Sequence, residues 1–245
     1  MLAVHGLSVS FGGIRAVDDV SFSVAPGEVV GLIGPNGAGK TTLLGQLTGL
    51  LAPDDGAVRL EGRDITRLSL PQRTKLGIAR SFQIPALCET FTALENAQVA
   101  LQARAPHHFR FWSRVDRDPE LIEGGRQLLD RVGLTSEGDV PAASLAHGQR
   151  RQLELALAVA TEPKALLLDE PMAGLGPSET EAMTTLIREL RGGPAILLVE
   201  HDMDVVFALA DRISVLVYGS LLTTGTPNEI RADERVQAAY LREDV

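Results

Sequence analysis

The sequence predicts an α/β fold around a mostly parallel sheet, with a helical segment set into it. Three observations carry that prediction. Apolar runs of strand length at 28–33, 165–168 and 195–199 alternate with stretches whose apolar residues recur at helical spacing. The loop GPNGAGKTT at 34–42 joins the first of those runs to a helix. Between 84 and 148 the strand–helix rhythm stops, and helical patterns fill the gap until it resumes at 149.

Residues 2–33 read as β-structure. Leu7 and Val9 alternate with polar neighbours, VSFSV at 20–24 alternates cleanly, and Pro26-Gly27 marks a turn. Phe11, just before Gly12-Gly13, has two uses open to it: filling a strand-end core, or offering a ring face to a base. After the strand at 28–33, the residues Gly34, Pro35, Asn36, Gly37, Ala38, Gly39, Lys40, Thr41 and Thr42 complete the pattern G-x-x-x-x-G-K-[ST]. The glycines let the backbone turn its N–H groups inward, at a helix N-terminus that already favours negative charge. Lys40 brings a cation to the β/γ-phosphates and the Thr41 hydroxyl an oxygen for Mg²⁺. Bound nucleoside triphosphate is what this loop implies.

Beyond it, Leu43, Leu47 and Leu50 fall at helical spacing up to PDDG at 53–56, followed by a short strand at 57–61 and a turn at 62–64. In the inserted segment, 94–102 and 121–132 read as helices, joined by a polar connection at 104–119. That connection holds His107-His108, which lacks further ligands nearby and reads as a solvated pair rather than a metal site. The run at 152–161 predicts a helix buried on most sides and ended by Glu162-Pro163. Ser178-x-x-Glu181 reads as a capping box, opening a helix with Ala182, Met183, Leu186, Ile187 and Leu190 on one face. Met203, Val206, Phe207 and Ala210 mark the next helix, 215–222 a hairpin around Gly219-Ser220, and Thr226-Pro-Asn-Glu229 the cap of a closing helix.

Composition narrows the function classes. A net charge of −9 argues against a nucleic-acid face, which wants basic residues. The lone cysteine, Cys88, excludes a disulfide framework and suits a reducing compartment. No apolar run has the length of a membrane span, and MLAVHGLSVSFGG lacks the form of a signal peptide. The expectation is a cytoplasmic protein whose membrane role, if any, goes through a partner.

The chemistry should sit at the carboxyl ends of the strands. There LLLD at 166–169 presents Asp169, a carboxylate of the kind that holds Mg²⁺, and Glu170 beside it can polarise the attacking water. His201 stands just beyond the strand at 195–199, within reach of a γ-phosphate. Gln83 lies where the first α/β part hands over to the insertion, and its amide can both ligate Mg²⁺ and bond water. Gly148, in LAHGQ at 145–149, leaves two readings: a second anion-binding helix end, or an ordinary helical first turn.

Taken together, the phosphate loop, Gln83, LAHGQ, LLLDEP at 166–171 and His201 resemble the ABC-type ATP-binding cassette, over essentially the whole chain. The resemblance implies a P-loop NTPase core of RecA-like type, with an N-terminal antiparallel β-subdomain and an inserted α-helical subdomain. The core with its β-subdomain would be 1–83 and 149–225, the helical subdomain 84–148 and the closing helix 226–245. ATP and Mg²⁺ are the cofactors it implies. Phe11 would then stack on adenine, 34–42 would be Walker A, and Gln83 the Q-loop glutamine and a metal ligand. Leu145, Ala146, His147, Gly148 and Gln149 would form the signature, Asp169 the Walker B acid, Glu170 the general base and His201 the switch histidine. A head-to-tail dimer is also implied, each signature completing the other subunit's ATP site beneath transmembrane permease subunits at the cytoplasmic face of the inner membrane. A solute-binding protein on the far side would be the indirect partner.

Two motifs depart from the family pattern. Ala146 replaces the serine of LSGGQ, losing a hydroxyl contact to phosphate worth about 1.5–3 kcal/mol. AGLG at 173–176 replaces S-A-L-D, placing Gly176 where an acid is usual. Both homodimer and heterodimer with a fuller cassette stay open. Within the family, SFGGIRAVDDVSFSV, RSFQ, GQRRQLELALA, EPMAGLGPSE and VEHDMDVV are similar to cassettes of branched-chain amino-acid importers. Urea-import cassettes are the near alternative. A soluble, non-transport ATPase on the same cassette is the more distant one.

Overall fold

The computed structural model describes residues 1–81, 87–103 and 118–241, side chains excepted at 240 and 241. The chain divides into two compact units: 1–80 with 164–170 and 187–245, and 81–163 with 171–186.

The first unit carries two sheets. A four-stranded antiparallel sheet is formed by β1 (Leu2–Phe11), β2 (Ile14–Val24), β4 (Asp55–Leu60) and β5 (Arg63–Asp64), in the order β2-β1-β4-β5. A six-stranded sheet has the order β10-β9-β3-β8-β7-β6. Its members are β3 (Val29–Ile33), β6 (Ile78–Ser81), β7 (Ala165–Asp169), β8 (Ala195–Val199), β9 (Arg212–Val217) and β10 (Ser220–Gly225). β3 pairs in parallel with both β8 and β9, and β7 in parallel with β8. Every residue of β3 and of β8 is buried, as continuous apolar runs require inside a parallel sheet. The expected hairpin is there, with Ser220 opposite Val217 across a turn at Tyr218-Gly219.

Helix α1 (Lys40–Thr48) follows β3, and its Leu43, Leu44 and Leu47 enter a core shared by both sheets. Helix α2 (Leu70–Leu76) and β6 after it are elements the sequence reading passed over. Helix α7 (Met203–Leu209) packs Val206 with Ile33, Ile213 and Val215. Where one closing helix is expected there are two, α8 (Pro227–Ala232) and α9 (Glu234–Leu241). The Thr226 cap holds: its hydroxyl accepts from Glu229 N–H while Glu229 accepts from Thr226 N–H.

The second unit is helical. Its core gathers Ala93 and Ala97 of α3 (Ala93–Gln102), Leu128 and Leu129 of α4 (Pro119–Arg131), and Leu153 and Ala156 of α5 (His147–Ala160). Asn96, buried on α3, ties the preceding turn by accepting from Cys88 N–H and donating to Cys88, Phe91 and Thr92 carbonyls. Helix α5 begins five residues before the predicted 152 and is buried along one stripe only, with Gln152, Glu154, Leu157 and Ala158 half-buried. Its apolar content overstated its burial. Helix α6 (Pro177–Glu189) corrects the proposed capping box as well. It starts at proline, before Ser178, and Glu179 reaches back to accept from Gly176 N–H at 2.9 Å. Among the described residues, no helix is long and apolar enough to cross a membrane.

Candidate functional site

The parallel strands β3, β8 and β7 bring four predicted residues to one edge of the sheet. Leu32 is level with Val199, and Val199 with Asp169, so Gly34, Asp169, Glu170 and His201 all follow strand ends that lie side by side. This is the carboxyl-end crevice at which open α/β sheets take ligands.

The loop at 34–39 is shaped by positions that refuse a side chain. A Cβ on Gly34 would lie 2.1 Å from Leu216 O, and one on Gly39, at φ +104°, 2.3 Å from Ala16 O. Gly39 then caps α1 without any side-chain hydrogen bond, and the first turn of α1 holds no acidic residue. The orphan N–H groups and positive dipole end of α1 are therefore left for an anion. Asn36, Gly37 and Thr41 are exposed, Pro35 and Thr42 half-buried, and Ala38 is buried. The Lys40 ammonium donates to the carbonyls of Gly34 and of Pro35, the latter at 3.0 Å, and so bridges the mouth of the loop.

Asp169 ends β7 with its side chain 9% exposed, and Arg80 of β6, equally buried, donates to its Oδ2 at 2.7 Å. Glu170 has a left-handed backbone, φ +48°, and donates its N–H to Val199 O at 2.8 Å. Such a conformation in a glutamate costs on the order of 1–3 kcal/mol and aims the side chain away from the strand axis. His201 Nδ1 lies 3.9 Å from Glu170 Oε1 and 3.8 Å from Glu200 Oε2, while its N–H donates to the same Glu200 oxygen at 3.2 Å. Glu200 is buried and His201 is exposed, so the imidazole sits between one dry and one wet carboxylate. Neither Arg80 nor Glu200 was singled out from the sequence. Glu200 had a signal, a lone acid closing the apolar run ILLV beside His201.

Phe11 ends β1, where it pairs with Ile14, and is 53% exposed. It is not strand-end core, which leaves its ring face open to a base. Gln83 and residues 104–117 of the connection, His107-His108 included, lie outside the described residues, and Pro119, expected to close that connection, already opens α4.

In the helical unit, Leu145 is buried and Ala146 caps α5, donating its N–H to Gln149 Oε1 at 3.0 Å. Gln149 also donates to Glu137, at 3.1 Å. His147 is exposed, with Nε2 3.2 Å from Ala173 O. Gly148 is buried under Glu179, whose Oε1 would stand 2.3 Å from a Cβ there. The Glu179 carboxylate therefore packs against the first turn of α5.

Among the described residues, no group of three or more His, Cys, Asp or Glu could hold a metal by itself. Thr41 and Asp169 offer hydroxyl and carboxylate oxygen only. That set fits Mg²⁺, which takes one or two protein oxygens and completes its shell from phosphate and water.

A buried parallel strand, a glycine loop folded over a helix N-terminus and an acid at the neighbouring strand end define a P-loop nucleotide-binding protein. Residues 17–173 match the family described as ABC transporter, and 220–241 the one described as branched-chain amino acid ATP-binding cassette transporter. The chain is 40% identical over 252 residues to the high-affinity branched-chain amino acid transport ATP-binding protein LivG of Salmonella typhimurium, spanning 99% of this chain and 98% of that protein. It superposes on the ADP conformation of an ATP-binding cassette of an ABC transporter with TM-score 0.86, at 31% identity over 98% of each chain. On a dimeric post-hydrolysis cassette bound to ADP and Pi the TM-score is 0.77, at 25% identity over 93% of this chain and 99% of that one. The chain belongs to the ABC transporter family, as an ATP-binding cassette that couples ATP hydrolysis to transport.

Proposed function

We propose that this cassette energises uptake of branched-chain amino acids, working at the cytoplasmic face of the membrane beneath permease subunits served by a solute-binding protein. The observation that carries the solute class is the match at 220–241, which falls on β10, α8 and α9 and lies outside the catalytic motifs. The full-length similarity to LivG supports the same reading.

In this reading the 34–42 loop binds the triphosphate through backbone N–H groups, and Lys40 leaves the Gly34 and Pro35 carbonyls to bond phosphate oxygen. Phe11 stacks on adenine. Thr41, Asp169 and Gln83 would hold Mg²⁺, which would supply positive charge to the triphosphate. Glu170 takes a proton from the attacking water, a contribution of about 10²–10⁴ in rate. His201, steadied by Glu200 and Glu170, donates to the γ-phosphate as it leaves. Residues Leu145 to Gln149 meet the nucleotide of a second cassette, as the dimeric relative suggests. Ala146 offers no hydroxyl there, and its neighbour His147 supplies ring N–H instead.

The test is reconstitution of the cassette with its permease subunits in vesicles. Phosphate release should rise when binding protein loaded with leucine, isoleucine or valine is supplied outside. Stimulation by urea and not by these amino acids would move the cassette to amide import. Activity indifferent to any permease would make it a non-transport ATPase.

A further inference from the structure

The acid assigned to magnesium already has a cation on it. Arg80 and Asp169 meet at 2.7 Å with both side chains 9% exposed, and the bond engages one carboxylate oxygen, Oδ2. The pair comes from neighbouring strands of one sheet, β6 and β7, and not from a loop. A carboxylate this dry needs a counter-charge, and a guanidinium supplies one that no ordinary pH removes.

We infer that Arg80 is a positioning residue that sets the magnesium affinity of the site by sharing Asp169 with the ion. This rests on the nucleotide-binding reading above. Before nucleotide arrives, the guanidinium neutralises Asp169 and fixes its plane, keeping Oδ1 as the oxygen left for the metal. Once Mg²⁺ is there, a unit positive charge and a doubly positive ion share one carboxylate at close range. Their repulsion in a weakly screened setting loosens the ion by more than about tenfold. Without the guanidinium, Asp169 would hold the ion more firmly than it does with it. Asp169 with Arg80 binds it firmly only while triphosphate oxygens complete the shell, which favours release after cleavage.

The experiment titrates Mg²⁺ into the full chain with a fluorescent, non-hydrolysable ATP analogue. It reads the Mg²⁺ concentration for half-maximal nucleotide retention, which needs no turnover. Arg80→Gln should lower that midpoint at least about tenfold, since the competing charge is gone. Arg80→Lys, which keeps the charge, should stay within about threefold of the parent. An unchanged or raised midpoint in Arg80→Gln overturns the inference. Should that variant not fold, a midpoint raised tenfold or more in Arg80→Lys overturns it equally, because then geometry and not charge would matter. Binding of the analogue by the parent chain at saturating Mg²⁺ reports on the loop separately. Its absence would sink the nucleotide site itself, whereas its presence with an unmoved midpoint sinks only the role of Arg80.

Discussion

Arg73→Met should cost the fold about 3–5 kcal/mol, a loss that reaches the phosphate loop through its helix. Arg73, on α2, is 1% exposed and its guanidinium bonds four backbone carbonyls. Nη1 donates to Gln46 O at 2.6 Å and Leu47 O at 2.7 Å, Nη2 to Thr66 O at 2.7 Å, and Nε to Leu68 O at 3.0 Å. Gln46 and Leu47 belong to the last turn of α1, which carries no basic residue of its own; the Gln46 carbonyl accepts besides from the Gly49 N–H, at a long 3.4 Å. Arg73 therefore ties down, beside the Gly49 C-cap, the last turn of the helix that follows the glycine loop. Burial pushes its pKa down, with Asp64 pulling it back up, so some of what its bonds contribute is spent on desolvation. Each bond from a charged donor is worth about 1.5–3 kcal/mol gross, but the four share one group and do not add. Methionine keeps the stem and removes all four of these bonds, giving the figure above. For a chain of this size the melting temperature should fall by about 6–20 °C. Urea unfolding and thermal melts with and without nucleotide measure it. Arg73→Lys should recover less than half, since one ammonium cannot reach four carbonyls in that fork. A loss under about 1 kcal/mol in Arg73→Met, or full recovery by lysine, would refute the reasoning.

Lys40→Ala should weaken ATP binding by about 10- to 150-fold, the worth of one charged hydrogen bond to phosphate, as isothermal titration would show. Glu170→Gln should bind ATP normally, hydrolyse it about 10²–10⁴-fold more slowly and accumulate as a dimer in sedimentation, because Gln keeps the shape and loses the base. Acid should weaken the fold through Glu28. Burial pushes its pKa up, but the Arg212 guanidinium and the Ala25 N–H outweigh that and hold it below the ordinary 4.5. A folded pKa below the unfolded one means that this stabilisation is present above about pH 4.5 and is lost as pH falls through the lower, folded value. The gap in unfolding free energy between the parent and Glu28→Gln should then close between neutral pH and the low end of that range. A gap that stays constant would remove the ion pair from the account.

What the sequence disclosed and what it withheld divide by the range of the interactions. The strand at 28–33 and the helix after the loop are written in adjacent residues and sit where periodicity places them, except that α1 stops at Thr48 on a left-handed Gly49 and leaves Leu50, expected on its apolar face, exposed. The Thr226 cap is equally local, closing over three residues. Boundaries went astray where a short-range rule had a competitor: Ser178 met the capping pattern, yet Pro177 opened α6 and Glu179 capped back onto Gly176. Helix α2 and strand β6 are short and largely polar, and the partners that hold them come from elsewhere in the chain. Arg73 is one such case, 27 residues from Gln46, and Arg80 another, 89 residues from Asp169. Both read as ordinary surface arginines until sheet order puts β6 against β7 and α2 against the end of α1. Asp169 and Glu170 were legible because LLLDEP is written in adjacent residues at a strand end. The arginines bonded to Asp169 and to the end of α1 were not, because any arginine delivered there by the topology would serve, and only the folded sheet says which one is.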